Sequence, residues 1–291
     1  MKIIDILNKN EKTMSFEVFP PKRGADFDSV RVATEEIARL RPAYMSVTYG
    51  AGGGFSKYTV GIAQNIIEKY GVPMLAHLTC VASSKDTIAE KIEGMRAAGI
   101  ENVLALRGDL TPELAASDRS TWDYQHAYKL VRQLKDIRPE LCVGGACYPE
   151  THPESKSSEE DLKHLKEKVD AGCDFLTTQM FFENKLYYDF LDKAQGAGIK
   201  VPVIAGIMPI TNITQVQRAS GLSGSYMPPK FLDMVQKYQD DGESLKRAGI
   251  EYALEQIDDL YGQGVKHVHV YTMNKKYLAE EIWAKFGQGQ K

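Results

Sequence analysis

Cysteine is scarce in this chain of 291 residues: Cys80, Cys142, Cys147 and Cys173 are all there are, and none forms a CxxC pair. Four such residues are too sparse for a disulfide scaffold and read as free thiols of a cytoplasmic protein, small core residues in a reducing compartment. Cys142 and Cys147, five apart on one predicted strand, point to opposite faces rather than forming a redox pair. A long apolar run is also missing. The longest strongly apolar stretch, 72–82, is interrupted by His77 and falls short of the ~20 residues a spanning helix needs, so no membrane partner is expected. The opening MKIIDILNKNEK places Asp5 inside what would have to be a signal's apolar segment, and it reads as mature protein. Charge of one sign is absent too: 36 Lys+Arg stand against 39 Asp+Glu, a net −3 with no long basic block. A nucleic-acid binder led by phosphate contacts is thereby excluded. The 24 glycines and 12 prolines have no period, which excludes collagen-like and low-complexity chains.

What is present is an ordinary globular composition, 43% hydrophobic and 26% charged. A chain this long buries roughly 75% of its unfolded surface. Short apolar or β-branched runs predict strands near 14–19, 43–48, 73–80, 102–106, 141–147, 175–179, 201–207 and 267–272. The first four start 29, 30 and 29 residues apart, the length of one βαβ crossover. Between them runs helical periodicity. Phe27, Val30, Ala33, Ile37 and Leu40 follow Asp26 as N-cap. Leu162, Leu165 and Val169 follow Ser157, with Glu160 completing a capping box and Gly172 as the stop. Eight strands alternating with helices over ~250 residues predict an α/β fold, a (β/α)8 barrel, with extra helices around 228–239 and 246–261 before the last strand. No linker divides the chain, and one domain over 1–291 is expected. The run Gly50-Ala51-Gly52-Gly53-Gly54-Phe55 imitates a dinucleotide-binding GxGxxG, but Phe55 takes the last glycine position and no acidic strand end follows ~20 residues on.

Barrel chemistry sits at the C-terminal ends of the strands. Read in turn, those ends carry Glu17, Thr48-Tyr49, His77, Arg107-Gly108-Asp109, Tyr148, Gln179 and Tyr271-Thr272-Asn274. Nearly every one can donate, accept or stack, which points to a large polar ligand filling the mouth. Each residue also has a plainer reading. Glu17 is either paired with a barrel Arg or Lys or placed for acid–base work. Arg107 and Asp109 can satisfy each other, and His77 alone is a core histidine as readily as a ligand. His267 and His269 share a strand face and resemble half a metal site, with no third ligand evident. Asp161, His164 and Lys168 form one stripe of a helix, either solvated or lining a ligand.

Five motifs in order resemble one family. Ser15-Phe16-Glu17-Val18-Phe19-Pro20-Pro21-Lys22, Leu106-Arg107-Gly108-Asp109, Tyr148-Pro149-Glu150-Thr151-His152-Pro153-Glu154, Thr178-Gln179-Met180-Phe181-Phe182 and Tyr271-Thr272-Met273-Asn274 look like methylenetetrahydrofolate reductase in its short bacterial form, a catalytic barrel without a regulatory domain. The resemblance implies FAD held non-covalently at the mouth and reduced by NAD(P)H. Methylenetetrahydrofolate then takes the nicotinamide's place and leaves as 5-methyltetrahydrofolate. It makes Glu17 the general acid that opens the substrate's ring, and Asp109 the catalytic carboxylate beside flavin and pterin. Flavin contacts carry over as Tyr49, Ala51, His77, Arg107, Gly108, Asp109, Ala127, Tyr148, His152, Asp161 and Lys168, with Thr48, His126, Ser155 and His164 beside them. Thr48 and Gln179 match nicotinamide contacts. Asp109, Gln179, Gln215 and Lys275 match folate contacts, and no metal is implied.

The chain departs from the pattern of the well-known bacterial members at five places. His126 replaces a flavin-stacking Tyr, His164 an Asn, Glu167 an Arg, Ala219 an aromatic over the active site, and Lys275 an Arg. The resemblance further implies a homo-oligomer. It leaves open NADH, NADPH, or a ferredoxin or partner subunit as electron source. Two other readings stand beside it: a metal-dependent barrel hydrolase built on His267 and His269, and a non-catalytic barrel that binds flavin or folate without turnover.

Overall fold

Eight parallel strands pair in chain order and close on themselves: β1 (Thr13–Val18), β2 (Met45–Val47), β3 (Met74–Thr79), β4 (Asn102–Leu106), β5 (Cys142–Cys147), β6 (Phe175–Thr178), β7 (Val203–Ile207) and β8 (His267–Tyr271), with β8 against β1. The computed structural model describes residues 1–21, 27–49, 57–110 and 112–287. Every predicted strand is present, its ends within two residues of expectation. The predicted cap Asp26, the flavin position Ala51 and the 50–55 glycine run lie outside the described residues.

Among the described residues the helices are α1 (Ile3–Lys9), α2 (Phe27–Ala38), α3 (Lys57–Tyr70), α4 (Lys85–Ala97), α5 (Pro112–Ala115), α6 (Ala127–Ile137), α7 (Ser158–Asp170), α8 (Asn184–Gly196), α9 (Ile213–Ser223), α10 (Pro229–Tyr238), α11 (Gly242–Gly262) and α12 (Lys276–Phe286). None is long and apolar enough to cross a membrane. Sequence periodicity found α10 and α11 in the long gap before β8; α9 also lies there. At α7 the cap forms as expected, with Ser157 Oγ accepting from Glu160 N–H at 3.3 Å. The return bond of the capping box shifts by one residue: Glu160 accepts from Lys156 N–H at 2.6 Å. Gly172 ends the helix with φ +113°.

Alternation along each strand divides the core in two. Met14, Phe16 and Val18 face outward into the cluster that also buries Ile37, Met45 and Ile66 under the helices. Inside the barrel, Leu75, Leu104, Cys142, Phe175 and Ile204 pack with Ile3 and Leu7 of α1. That short helix closes the N-terminal end of the barrel, and Ile3 N–H donates to Asn102 Oδ1 at 2.8 Å. Cys142 belongs to the inner cluster and Cys147 to the outer one, the opposite faces predicted for them. All four cysteines are buried and unpaired with one another.

Candidate active site

The C-terminal end of the barrel opens into a cavity of about 860 Å³. Its wall brings together Glu17 from β1, Thr48 after β2, His77 from β3, Arg107, Gly108 and Asp109 after β4, Tyr148 after β5 and Gln179 after β6. These are the predicted strand ends, and residues separated by up to 162 positions meet only because the sheet closes. Two other strand-end residues do structural work instead. Thr272 Oγ1 donates to the Glu17 carbonyl at 2.6 Å, and the Asn274 amide bridges both backbone groups of Phe19 at 2.8 and 2.9 Å. They tie the end of β8 to the end of β1, which fixes Glu17.

Glu17 has no Lys or Arg partner among the described residues. Its Oε2 accepts from Ser46 Oγ at 3.4 Å, with His77 Nε2 3.5 Å away and His269 Nε2 3.9 Å away. His77 Nε2 is buried and has no hydrogen-bond partner among the described residues. Burial lowers the His77 pKa to about 4 despite the pull of Glu17, so the ring is neutral there. Below, His269 lies between Ser15 Oγ (2.7 Å from Nδ1) and Ser46 Oγ (3.1 Å from Nε2), and His267 Nδ1 meets Thr13 Oγ1 at 3.0 Å. The two histidines that resembled half a metal site are thus tied to hydroxyls. No cluster of three or more His, Cys, Asp or Glu able to hold a metal occurs among the described residues.

The Arg107–Asp109 pairing considered from sequence does not form. Arg107 instead grips Glu154 with both terminal guanidinium nitrogens, at 2.6 and 2.9 Å, and Arg119 adds a contact at 3.0 Å. The hydrogen bond from Arg107 leads in drawing the Glu154 pKa down to about 2, with help from Arg119. The β4 turn requires Gly108: its φ is +97°, and a Cβ there would lie 2.8 Å from Val81 Cγ1. Asp109 is left facing the cavity.

The far wall is built from α6 and α7. Asp161, His164 and Lys168 all face the cavity, so the stripe lines it rather than lying in solvent. Asp161 carboxylate oxygens accept from His152 N–H at 2.9 Å and Ser155 Oγ at 3.4 Å, which holds the loop between β5 and α7. Lys168 Nζ reaches the Ala146 carbonyl at 2.6 Å, and burial lowers its pKa. Three of the departures from the resembled pattern form one contact group here. His126, beside Ala127 at the start of α6, stacks on His164 with ring centroids 4.9 Å apart, and His164 Nδ1 lies 3.1 Å from Glu167. Burial, then His164 and Arg107, lower the His126 pKa.

Some predicted contacts lie elsewhere. Tyr49 is packed against the outer core with Lys91 Nζ 5.3 Å over its ring, not on the cavity wall. Gln215 and Lys275 are also off the wall, and Thr211 joins them. Gln215 Oε1 accepts from the Thr211 backbone and hydroxyl at 2.7 and 2.9 Å, and Lys275 Nζ donates to that same hydroxyl. Ala219 is buried in a separate apolar cluster with Phe182 and Phe231. Gln179 is on the wall, with Oε1 taken by Met180 N–H at 2.9 Å, so its amide nitrogen remains to donate. Sequence reasoning missed Arg119 and the role of Glu154. Arg119 sits in a one-turn 3-10 helix, Arg119–Thr121, in a connection with no periodic signal, and its partner is 35 residues away.

The family model described as methylenetetrahydrofolate reductase matches residues 2–287. The 5,10-methylenetetrahydrofolate reductase of Pectobacterium carotovorum is 34% identical over 92% of this chain and 88% of its own. That of Buchnera aphidicola from Acyrthosiphon pisum is 34% identical over 96% and 95%. Among solved structures, a Clostridium thermocellum protein described as binding two copies of 5-methyl-5,6,7,8-tetrahydrofolic acid matches with a TM-score of 0.68, covering 98% of this chain and 100% of that one. Its sequence identity is 14%, so it shares the fold.

Proposed function

The chain belongs to the methylenetetrahydrofolate reductase family, and from that premise we propose that it reduces 5,10-methylenetetrahydrofolate to 5-methyltetrahydrofolate, with electrons taken from NAD(P)H through FAD. The observation that carries this reading is the meeting of Glu17, Asp109 and Gln179 on the wall of one cavity. The same wall fits a flavin dinucleotide. Its volume of about 860 Å³ lies within the roughly 300–1,000 Å³ of small-molecule sites. His77 presents a buried Nε2 without a partner among the described residues, and Arg107 and Lys168 supply cations for phosphates. Bound there, the flavin would supply a two-electron carrier that takes a hydride from nicotinamide and yields it to the one-carbon unit.

This chain's own residues do the rest. Opening the substrate's five-membered ring to an electrophilic iminium expels an amine nitrogen, which needs a proton. Glu17 donates that proton from the cavity wall, where Ser46, His77 and His269 surround its carboxyl. Asp109, free of Arg107, accepts from the pterin. Gln179 donates its amide N–H to nicotinamide and folate in turn, which makes the kinetics ping-pong.

The purified protein's visible spectrum is the first test, and oxidised-flavin bands are expected. Turnover of methyltetrahydrofolate with an artificial electron acceptor is the second. A colourless protein carrying stoichiometric zinc would overturn the reading in favour of a metal-dependent hydrolase. A yellow protein without turnover would make it a binding barrel.

A further inference from the structure

Arg119 has no part in the reading so far, yet it faces Arg107 across a single carboxylate. Glu154 Oε1 lies 2.6 Å from Arg107 Nη2, and Oε2 lies 2.9 Å from Arg107 Nη1 and 3.0 Å from Arg119 Nη1. All three residues line the cavity. They sit at its rim, with the Arg107 side chain 19% exposed and those of Arg119 and Glu154 both 41% exposed. Backbone contacts aim the carboxylate. Glu154 N–H donates to His152 Nδ1 at 3.1 Å, and His152 N–H is held by Asp161. Among the described residues the Glu154 carboxylate has no partner besides the two arginines.

A carboxylate gripped by a guanidinium fork presents the same paired oxygens as a phosphate. One negative charge between two fixed cations leaves one positive charge unanswered, whereas a diphosphate ester answers both. We propose that Arg107 and Arg119 form a diphosphate-binding fork, and that Glu154 is an internal stand-in that occupies it until the diphosphate of an incoming dinucleotide displaces it. The inference rests on the flavin reading above and adds to it Arg119 as a binding residue and Glu154 as a competitor. Displacement trades the two-pronged Arg107–Glu154 pair for an Arg107–phosphate pair of the same geometry, while the partly exposed Glu154–Arg119 contact is weak and the freed carboxylate regains water. Glu154 therefore lowers affinity for the dinucleotide and eases its release.

The test uses ADP, which carries a diphosphate and no flavin, titrated calorimetrically into the flavin-stripped full chain. FAD and riboflavin titrations by fluorescence run beside it. Glu154→Gln keeps the shape and removes the competing charge, and should tighten ADP and FAD about 5- to 10-fold while leaving riboflavin unchanged. Arg119→Met should weaken ADP and FAD by a similar factor and cancel the gain of Glu154→Gln in the double variant. Weaker ADP binding in Glu154→Gln would make Glu154 a prop for Arg107 and overturn the proposal. So would an equal change for riboflavin, a silent Arg119→Met, or no ADP binding by any variant. ADP behaving as expected while neither FAD nor riboflavin binds would leave the fork standing and remove the flavin reading.

Discussion

The two sides of the barrel interior are built from different chemistry. Strands β3 to β7 contribute Leu75, Leu104, Cys142, Phe175 and Ile204, an apolar wedge sealed from below by α1. Strands β8, β1 and β2 contribute His267, His269, Thr13, Ser15, Glu17 and Ser46, linked hydroxyl to imidazole. In the wedge, shape is the whole requirement. Gly144 lacks a Cβ because the Phe175 ring fills that space, 2.6 Å from where the Cβ would be. The polar side has a second duty, since every buried polar atom must find a partner. It pairs both ring nitrogens of His269 and Nδ1 of His267, while next to it His77 Nε2, from β3, has no hydrogen-bond partner among the described residues. Shape governs the wedge, and a ring nitrogen without a hydrogen-bond partner among the described residues stands 3.5 Å from the Glu17 carboxylate.

Removing the proton from the polar side should have the largest effect. Glu17→Gln preserves volume and the contact with Ser46, so its cost is chemical. The folate half-reaction should slow by ~10²–10⁴-fold, while reduction of the protein by nicotinamide continues nearly unchanged. Rapid-mixing measurement of each half-reaction checks this, and equal losses in both would make Glu17 a structural carboxylate.

The wedge breaks in the opposite sense. Phe175 is fully buried, and Phe175→Ala should cost ~3–5 kcal/mol of unfolding free energy. Urea denaturation reads that loss. Ligand affinity in the folded fraction should hold, because Phe175 lies below the cavity wall rather than on it.

Acid separates the two sides without a mutation. The pKa of His77 and that of His267 are each lowered from 6.5 to about 4, chiefly by burial. Between those values the unfolded chain binds more protons than the folded one, so stability falls as pH drops. The contribution is whole above pH 6.5 and is lost toward pH 4, on the order of 3 kcal/mol for each ring. Glu154 and Glu35, each held down to about 2, lose their contribution only below the ordinary carboxylate range near 4.5. Denaturation midpoints should therefore begin to fall well before carboxylates titrate. A midpoint flat from pH 6.5 to 4 would contradict neutral buried histidines.

How much of this was legible in the sequence follows from the same division. Strand periodicity and the 29–30 residue spacing revealed all eight strands, because a barrel strand buried on both faces must be apolar or β-branched along its length. Glu17, Asp109 and Gln179 were legible as polar residues ending such strands. Pairings were not. Arg107 and Asp109 are two residues apart and invite a local pair, yet the guanidinium finds Glu154 in the neighbouring loop between β5 and α7. No periodicity encodes a contact made by the end of one βα loop with another. α1 escaped for a related reason: seven residues hold too few turns to show a period, and tertiary packing of Ile3 and Leu7 decides the helix.

A smaller effect is expected at Gln179, where the wedge and the polar side share one wall. With Oε1 occupied by Met180 N–H, the amide nitrogen is the ligand-facing donor. Gln179→Ala should weaken nicotinamide and folate together by ~1–3 kcal/mol each. Double-reciprocal plots should stay parallel, and intersecting lines would refute a shared site.

The smallest effect belongs to Lys275, which lies outside both sides of the interior. Its ammonium donates to Thr211 Oγ1, and that hydroxyl donates on to Gln215 Oε1 at 2.9 Å. Lys275 and Gln215 therefore share one network beyond the cavity wall. A lysine there offers a folate carboxylate a single compact charge, half-exposed and screened by salt. Lys275→Ala should raise the folate KM by about 2- to 5-fold at low ionic strength, and less as salt is added. Lys275→Arg should lower it, because a guanidinium offers two parallel hydrogen bonds. Neither change should alter the nicotinamide KM. Because the two residues act through Thr211, Gln215→Ala combined with Lys275→Ala should cost less than the sum of the single changes. A folate KM unmoved by Lys275→Ala across the salt series would reduce Lys275 to a prop for the Thr211 turn, and strictly additive changes would break the network into independent contacts.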